Sequence, residues 1–219
     1  IDMLEKQYGA MSVTRGSKHD YLGMVIEYMS DGSVTIRMAE YIKEALEELG
    51  EALDNKRVVT PAGVHLFKFN ENGKKLGAEK AKLFHRLVAK LLYVGKRARP
   101  DILLSVSFLT SRVDKSDEDD WNKLKRVLQY LKNTIDLPLT LAADSLTCLK
   151  TWVDASFAIH HDRRSHTGCI ISMGRGAIYA SSRRQRINTK SSTEAELVGA
   201  SDSVGQSLWS ANFLKAQGY

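Results

Sequence analysis

Cysteine is scarce in this chain, with two in 219 residues. Cys148 and Cys169 have neither a zinc-ligand spacing nor the number needed for a disulfide framework. Both are expected to be reduced, buried thiols of an intracellular protein. Long apolar runs are missing as well. None approaches the roughly 20 residues that span a bilayer, so no membrane partner is expected. The first residues, Ile1-Asp2-Met3-Leu4-Glu5-Lys6, carry no signal-peptide pattern and no initiating methionine. The chain therefore reads as a fragment. Internal repeats and low-complexity tracts are absent, which excludes a solenoid.

What is present is an ordinary globular composition, 43% hydrophobic and 26% charged. The length suits one large domain or two small ones. Formal charge is +6 and the pI is near 9.2. A basic surface serves nucleic acid, an anionic membrane surface or mere solubility; charge alone favours nucleic acid weakly.

Residues 21–28 are rich in β-formers, and Asp31-Gly32 separates them from Val34-Thr35-Ile36, which reads as a β-hairpin. Tyr41, Ala45 and Leu49, with Ile42 and Leu46, then fall at helical spacing, and Gly50 is a natural stop. Residues 51–78 read as a long loop, with a short strand at His65-Leu66-Phe67-Lys68-Phe69. Three helices follow. Their stripes are Ala81, Phe84, Val88 and Leu91; then Ile102, Val106, Leu109 and Val113, opened by Pro100; then Trp121, Leu124, Leu128 and Leu131. Ser116 with Asp119 has the spacing of a capping box for the third. After Pro138 the character is β again, with strands expected over 139–141, 149–153, 167–173 and 177–181 and a tight turn at Gly174-Arg175-Gly176. A long helix closes the chain on a stripe of Leu197, Ala200, Val204, Leu208, Ala211 and Leu214. The order implies an α+β fold in two units, mainly helical to about residue 136 and α/β after it.

Chemistry gathers in the second unit. Asp154 ends an apolar strand and is followed by the small residues Ala155 and Ser156, which leave room for a ligand or metal. The plain alternative is a turn-capping aspartate. Ser191-Ser192-Thr193-Glu194-Ala195-Glu196-Leu197 opens the last helix, and both Ser191 with Glu194 and Thr193 with Glu196 have capping-box spacing. If Ser191 is the cap, Glu194 is structural and Glu196 lies at the core margin, where a carboxylate needs a cation or hydrogen-bond donors. A strand-end Asp154 sharing a cleft with Glu196 would suit Mg²⁺, with Mn²⁺ as a substitute. Two-ion phosphodiester hydrolysis requires more ligands. Arg183, Arg184, Arg186 and Lys190 are candidates for phosphate contact, against a merely solvated basic loop. Lys90, Lys96, Arg97 and Arg99 are a second basic set. His160, His161 and His166 have no further ligand at metal spacing and read as a polar loop, and Trp121 and Trp152 as core.

Four segments together carry a resemblance: Trp152-Val153-Asp154-Ala155; Arg164-Ser165-His166-Thr167-Gly168-Cys169-Ile170-Ile171; Ala177-Ile178-Tyr179-Ala180-Ser181-Ser182-Arg183-Arg184-Gln185; and the Ser191–Leu197 stretch. In order, spacing and wording they resemble the RNase H of copia-type LTR retrotransposon Pol polyproteins. Upstream, His19-Asp20-Tyr21-Leu22-Gly23-Met24 resembles the family's palm-edge hairpin. Phe84-His85-Arg86-Leu87-Val88-Ala89-Lys90-Leu91-Leu92-Tyr93, with Arg99-Pro100-Asp101-Ile102, and Trp121 to Leu131 resemble its connecting helices. The resemblance spans nearly the whole chain and is weakest over 51–78.

The resemblance implies a palm-edge hairpin over residues 1–37, a helical thumb and connection over 38–136, and a C-terminally truncated RNase H-like unit over 137–219. It implies Asp154 and Glu196 as catalytic metal carboxylates and Mg²⁺ as cofactor. The implied partners are an RNA–DNA hybrid, template–primer and the rest of the Pol polyprotein. The implied setting is intracellular, a cytoplasmic virus-like particle and the nucleus. The family's remaining RNase H carboxylates fall beyond residue 219 and its polymerase aspartates before residue 1. Asp119-Asp120 is not the polymerase pair, because it stands among acidic residues at a helix start. Activity is therefore expected of the parent protein, not of this stretch alone. The competing expectations are a non-catalytic nucleic-acid-binding remnant and a domesticated RNase H-like interaction module.

Overall fold

A computed structural model describes all residues except 55, 56 and 69. The described residues form a mixed α+β molecule of six α-helices and two antiparallel sheets. Helix α1 (Asp2–Tyr8) buries no residue. Strands β1 (Lys18–Tyr21), β2 (Met24–Tyr28) and β3 (Val34–Arg37) form a meander, so the expected hairpin gains an outer strand. Helix α2 (Ala39–Leu49) ends at Gly50, whose φ of 66° is the left-handed cap that glycine takes without strain. Val64–Phe67 is a turn, not the expected strand, and Phe69 lies outside the described residues.

Helices α3 (Ala78–Arg97), α4 (Leu103–Thr110) and α5 (Glu118–Asn133) follow, with a 3₁₀ turn at Pro100–Ile102 leading into α4. Their expected stripes are mostly buried: Phe84, Leu91, Ile102, Leu109, Trp121, Leu124 and Leu128 are all closed to solvent, whereas Ala81 is half-buried and Val113, also half-buried, lies in the turn past the end of α4. Arg99 is buried beside them. It donates to Asp101 and to the Thr134 carbonyl and hydroxyl, and lies over the Tyr130 ring. The α5 capping box is Asp117 with Asp120, one residue beyond the expected pair: Asp120 N donates to Asp117 Oδ1 at 2.9 Å and Asp117 N to Asp120 Oδ2 at 3.3 Å. Ser116 is one step early because its own carbonyl accepts from Leu76 N.

Strand β4 (Leu139–Ala143) pairs with β3, and so extends the N-terminal sheet. Strands β5 (Lys150–Ser156), β6 (His166–Ser172) and β8 (Tyr179–Arg184) form the second sheet, with β5 and β8 at its edges. Between β6 and β8, the two-residue β7 (Gly174–Arg175) pairs with β4 and ties the sheets together. Gly176, at φ 75°, follows that crossing; a side chain there would collide with the Thr140 carbonyl. Helix α6 (Ser192–Ala216) packs on the second sheet.

The hydrophobic core is shared by α2 to α5 and the N-terminal sheet. Beyond residue 137 the buried apolar side chains are Cys169, Ile171 and Ala195, so the second sheet is thinly covered. Three expectations change as a result. Cys148 is exposed, and Cys169 alone is buried. Trp152 is 54% exposed, unlike the buried Trp121. Helix α6 buries Ala195, Gly199, Ser203 and Ser210, and leaves Leu197, Val204 and Leu208 in solvent. No helix among the described residues is long and apolar enough to cross a membrane.

Candidate active site

Strand alternation assigns the site's side chains to faces. Thr151, Val153 and Ala155 stand opposite Ile171, Cys169 and Thr167. This is the face under α6, since Thr151 Oγ1 lies 3.0 Å from Ser207 Oγ and Gly199 packs against Val153 and Thr167. Trp152, Asp154 and Ser156 belong to the other face, with Ile170, Gly168 and His166 opposite them. That face forms one wall of a cavity of about 470 Å³, and Pro100, Leu103 and Leu104 form the other. Asp154 is exposed in it, facing Gly168, which adds no side chain of its own.

Glu196 approaches from the edge. Its Oε1 accepts from Ala155 N at 3.2 Å, an amide directed away from β6. The local sequence explains how it gets there. Ser191 Oγ accepts from Glu194 N at 3.1 Å, and Glu194 Oε2 accepts from Lys190 N at 2.6 Å. Ser191 is therefore the cap, and Glu194 has a structural role at the helix start. One turn on, Glu196 reaches the peptide that joins Asp154 to Ala155. The two residues thus come together only through the Asp154–Ala155 peptide at the free edge of β5: Asp154 is turned to the face away from α6 and lines the cavity, which Glu196 does not, so the expected shared cleft is not formed.

Their chemistry is that of hard oxygen donors, which suit a divalent cation that keeps most of its water. A two-ion centre needs more, and among the described residues no group of three His, Cys, Asp or Glu side chains gathers to hold a metal. Asp154 and Glu196 alone do not make such a centre.

The basic candidates separate. Arg183 is on the α6 face, with an amino group 3.3 Å from the Asp202 carbonyl. Arg184 is on the opposite face and pairs with Asp162 at 3.1 Å. Arg186 and Lys190 are exposed and make no ion pair among the described residues. In the second set, Lys90 pairs with Glu48 at 2.7 Å and Arg99 is the buried residue described above, which leaves Lys96 and Arg97 exposed.

Two features escaped the sequence. Gln185 is buried, and its Nε2 donates to Thr167 Oγ1 at 2.9 Å and to the Ala195 carbonyl at 2.8 Å, which clamps α6 to the sheet. Its one signal was an uncharged residue inside a basic run. His160 and His166 form a buried pair, not a polar loop. Their facing nitrogens are 3.0 Å apart, and His166 Nε2 is 2.7 Å from Ser182 Oγ. Burial lowers both pKa values to about 4, helped by Arg184 near His160 and by His160 near His166. Both imidazoles are therefore neutral at pH 7.

No family model matches the chain, and no solved structure matches it significantly. Curated relatives do. The Retrovirus-related Pol polyprotein from transposon TNT 1-94 of Nicotiana tabacum is 27% identical over 93% of this chain, which spans 16% of that polyprotein. The putative transposon Ty5-1 protein of Saccharomyces cerevisiae is 28% identical over 86% of the chain and 61% of its own length. An uncharacterized mitochondrial protein of Arabidopsis thaliana is 29% identical over 90% of the chain and 80% of its own length. The chain is thus homologous to a segment of retrotransposon Pol polyproteins.

Proposed function

We propose that this segment is part of a reverse transcriptase/RNase H, and that the complete polyprotein carries out RNA-directed DNA synthesis and Mg²⁺-dependent hydrolysis of RNA in RNA–DNA hybrids. The observation that carries this reading is the meeting of Glu196 with the Asp154–Ala155 peptide at the free edge of β5. On this reading residues 1–37 are the palm-edge hairpin, 38–136 the thumb and connection, and 137–219 the RNase H-like portion.

Asp154 and Glu196 would hold the cation through carboxylate oxygens. The Ala155 amide engages one oxygen of Glu196 and leaves the other for a ligand, so the carboxylate is oriented in advance. A bound Mg²⁺ supplies Lewis-acid stabilisation of charge at the scissile phosphate. Arg186 and Lys190, free of ion pairs among the described residues, offer phosphate contacts to the hybrid. Because two carboxylates do not complete the centre, cleavage is expected of the longer polyprotein, where further ligands would come from other segments.

The test uses a polyprotein that extends past both ends of this segment. It should cleave the RNA strand of a labelled RNA–DNA hybrid with Mg²⁺. Asp154→Asn and Glu196→Gln should each slow cleavage on the order of 100-fold or more with hybrid affinity little changed. Undiminished cleavage by Asp154→Asn would remove the site assignment.

A further inference from the structure

Lys43, Lys80, Lys82, Lys90, Lys125 and Lys150 each reach a carboxylate within ion-pair distance. The half-buried Lys123 on α5 makes no such pair among the described residues. Its ammonium donates to the Lys68 carbonyl and lies 4.6 Å from the centre of the Phe108 ring. One carbonyl and a ring face replace only part of the water that burial removes. Burial accordingly lowers the Lys123 pKa; Asp120, Asp119 and Asp117 hold it back, and Arg112 adds to the fall. Asp117 and Asp120 are themselves paired with Arg112.

Lys123 lines a cavity of about 490 Å³ between α5 and the loop that carries His65 and Lys68. Asp119 also lines it, four residues earlier on α5, yet makes no ion pair with Lys123. Arg126 lines it too, and three residues along a helix is the same face. Its Nη2 donates to Thr60 Oγ1 at 3.0 Å, but its Nε–H is buried without an acceptor among the described residues. A lysine stem laid along an apolar ring is ordinary packing, and that accounts for the Phe108 contact. It does not account for a partly desolvated amine beside a buried donor that lacks an oxygen.

We propose that Lys123 is a modification site, a nucleophilic amine that takes an acyl group from a thioester while Arg126 Nε–H donates to the acyl oxygen. A lysine desolvated in a pocket is the activated form of this nucleophile. Its free amine attacks the carbonyl carbon, so a C–N bond forms and the C–S bond breaks. The sulfur leaves with the bonding pair and takes up the proton that the nitrogen gives up. The product is an amide, which ends the positive charge at Lys123. The inference does not depend on the carboxylate site.

The experiment treats the full 219-residue chain with S-acetyl-N-acetylcysteamine, a neutral thioester, and follows each lysine by peptide mass spectrometry. At pH 7.5 Lys123 is expected to be acetylated about fivefold or more faster than Lys115 and Lys132, which are exposed. Its rate should also level off at a lower pH than theirs, the direction that burial gives its pKa. In guanidinium chloride the three rates should become equal, because the advantage belongs to the folded cavity. Arg126→Lys keeps the charge and removes the Nε–H, and should slow Lys123 about threefold or more. Asn122→Asp adds a carboxylate at an exposed position on the cavity wall, and should slow it as well. Neither variant should change the rates at Lys115 and Lys132, which shows that the fold is kept. Acetylation of Lys123 no faster than that of the exposed lysines overturns the proposal. So does an advantage that survives unfolding, or an unchanged Lys123 rate in Arg126→Lys.

Discussion

His160 and His166 lie buried against Phe67 with facing nitrogens 3.0 Å apart, so at least one must stay neutral to accept the shared hydrogen bond. An unfolded histidine titrates near 6.5, whereas these two are held at about 4 by burial. The unfolded chain therefore binds more protons than the folded one between those values. Their contribution is fully present above about pH 6.5 and is lost as pH falls towards 4. The difference corresponds to roughly 3 kcal/mol for either histidine, and the two do not add because they share one bond. Asp162 beside His160 opposes the shift only in part. The unfolding midpoint should fall clearly between pH 7.5 and 5.0. His166→Gln, which cannot take up a proton, should show a shallower fall; an unchanged slope would rule the pair out as the cause. None of this was legible locally, because the burying ring comes from a loop far upstream. Asp154 and Glu196 could be singled out because strand-end and helix-start patterns are short-range. The exposure of Trp152 is not legible in the sequence, because its burial depends on what covers its face of the sheet.

At the scale of single elements, local chemistry and packing separate. The helices α2, α3 and α5 follow their apolar stripes, and the Gly50 and Ser191 caps are where the residue types place them. Helix α6 shows the limit. Its strongest apolar stripe is in solvent, because the helix approaches the sheet through small residues: a Cβ on Gly199 would meet Thr167 Cγ2 at 3.2 Å and Val153 Cγ1 at 3.4 Å. Periodicity identifies a helix but not which of two faces the sheet selects. Gly199→Val should therefore push α6 off β5 and β6 and cost about 1–3 kcal/mol. Gly205, in the same helix, has open space where a side chain would go. Gly205→Ala should add about 0.5–1 kcal/mol through helix propensity alone. Urea unfolding of the two variants reads both signs. If Gly199→Val were as stable as the parent, close packing would not be what seats α6.

At the scale of the whole molecule, α+β character was legible from the change of periodicity after residue 136, but the pairing of β4 with β3 was not. Pairing between distant strands is decided by register and by glycine-permitted crossings such as Gly176, neither of which periodicity encodes. The same topology leaves the outer edge of β5 unpaired beside a helix that exposes Leu197 at 71%, Leu208 at 59% and Trp209 at 62%. Unpaired edges recruit other strands, and adjoining apolar surface strengthens the contact. The isolated chain is therefore expected to self-associate as concentration rises, with sedimentation velocity showing a growing fast component. Leu197→Lys with Leu208→Lys should suppress that component. The unfolding midpoint should move little, because exposed substitutions typically change stability by about 0.5 kcal/mol or less. If association persisted in the double variant, the α6 stripe would not be the contact, and a further charge on the β5 edge, Thr151→Lys, would test the strand itself.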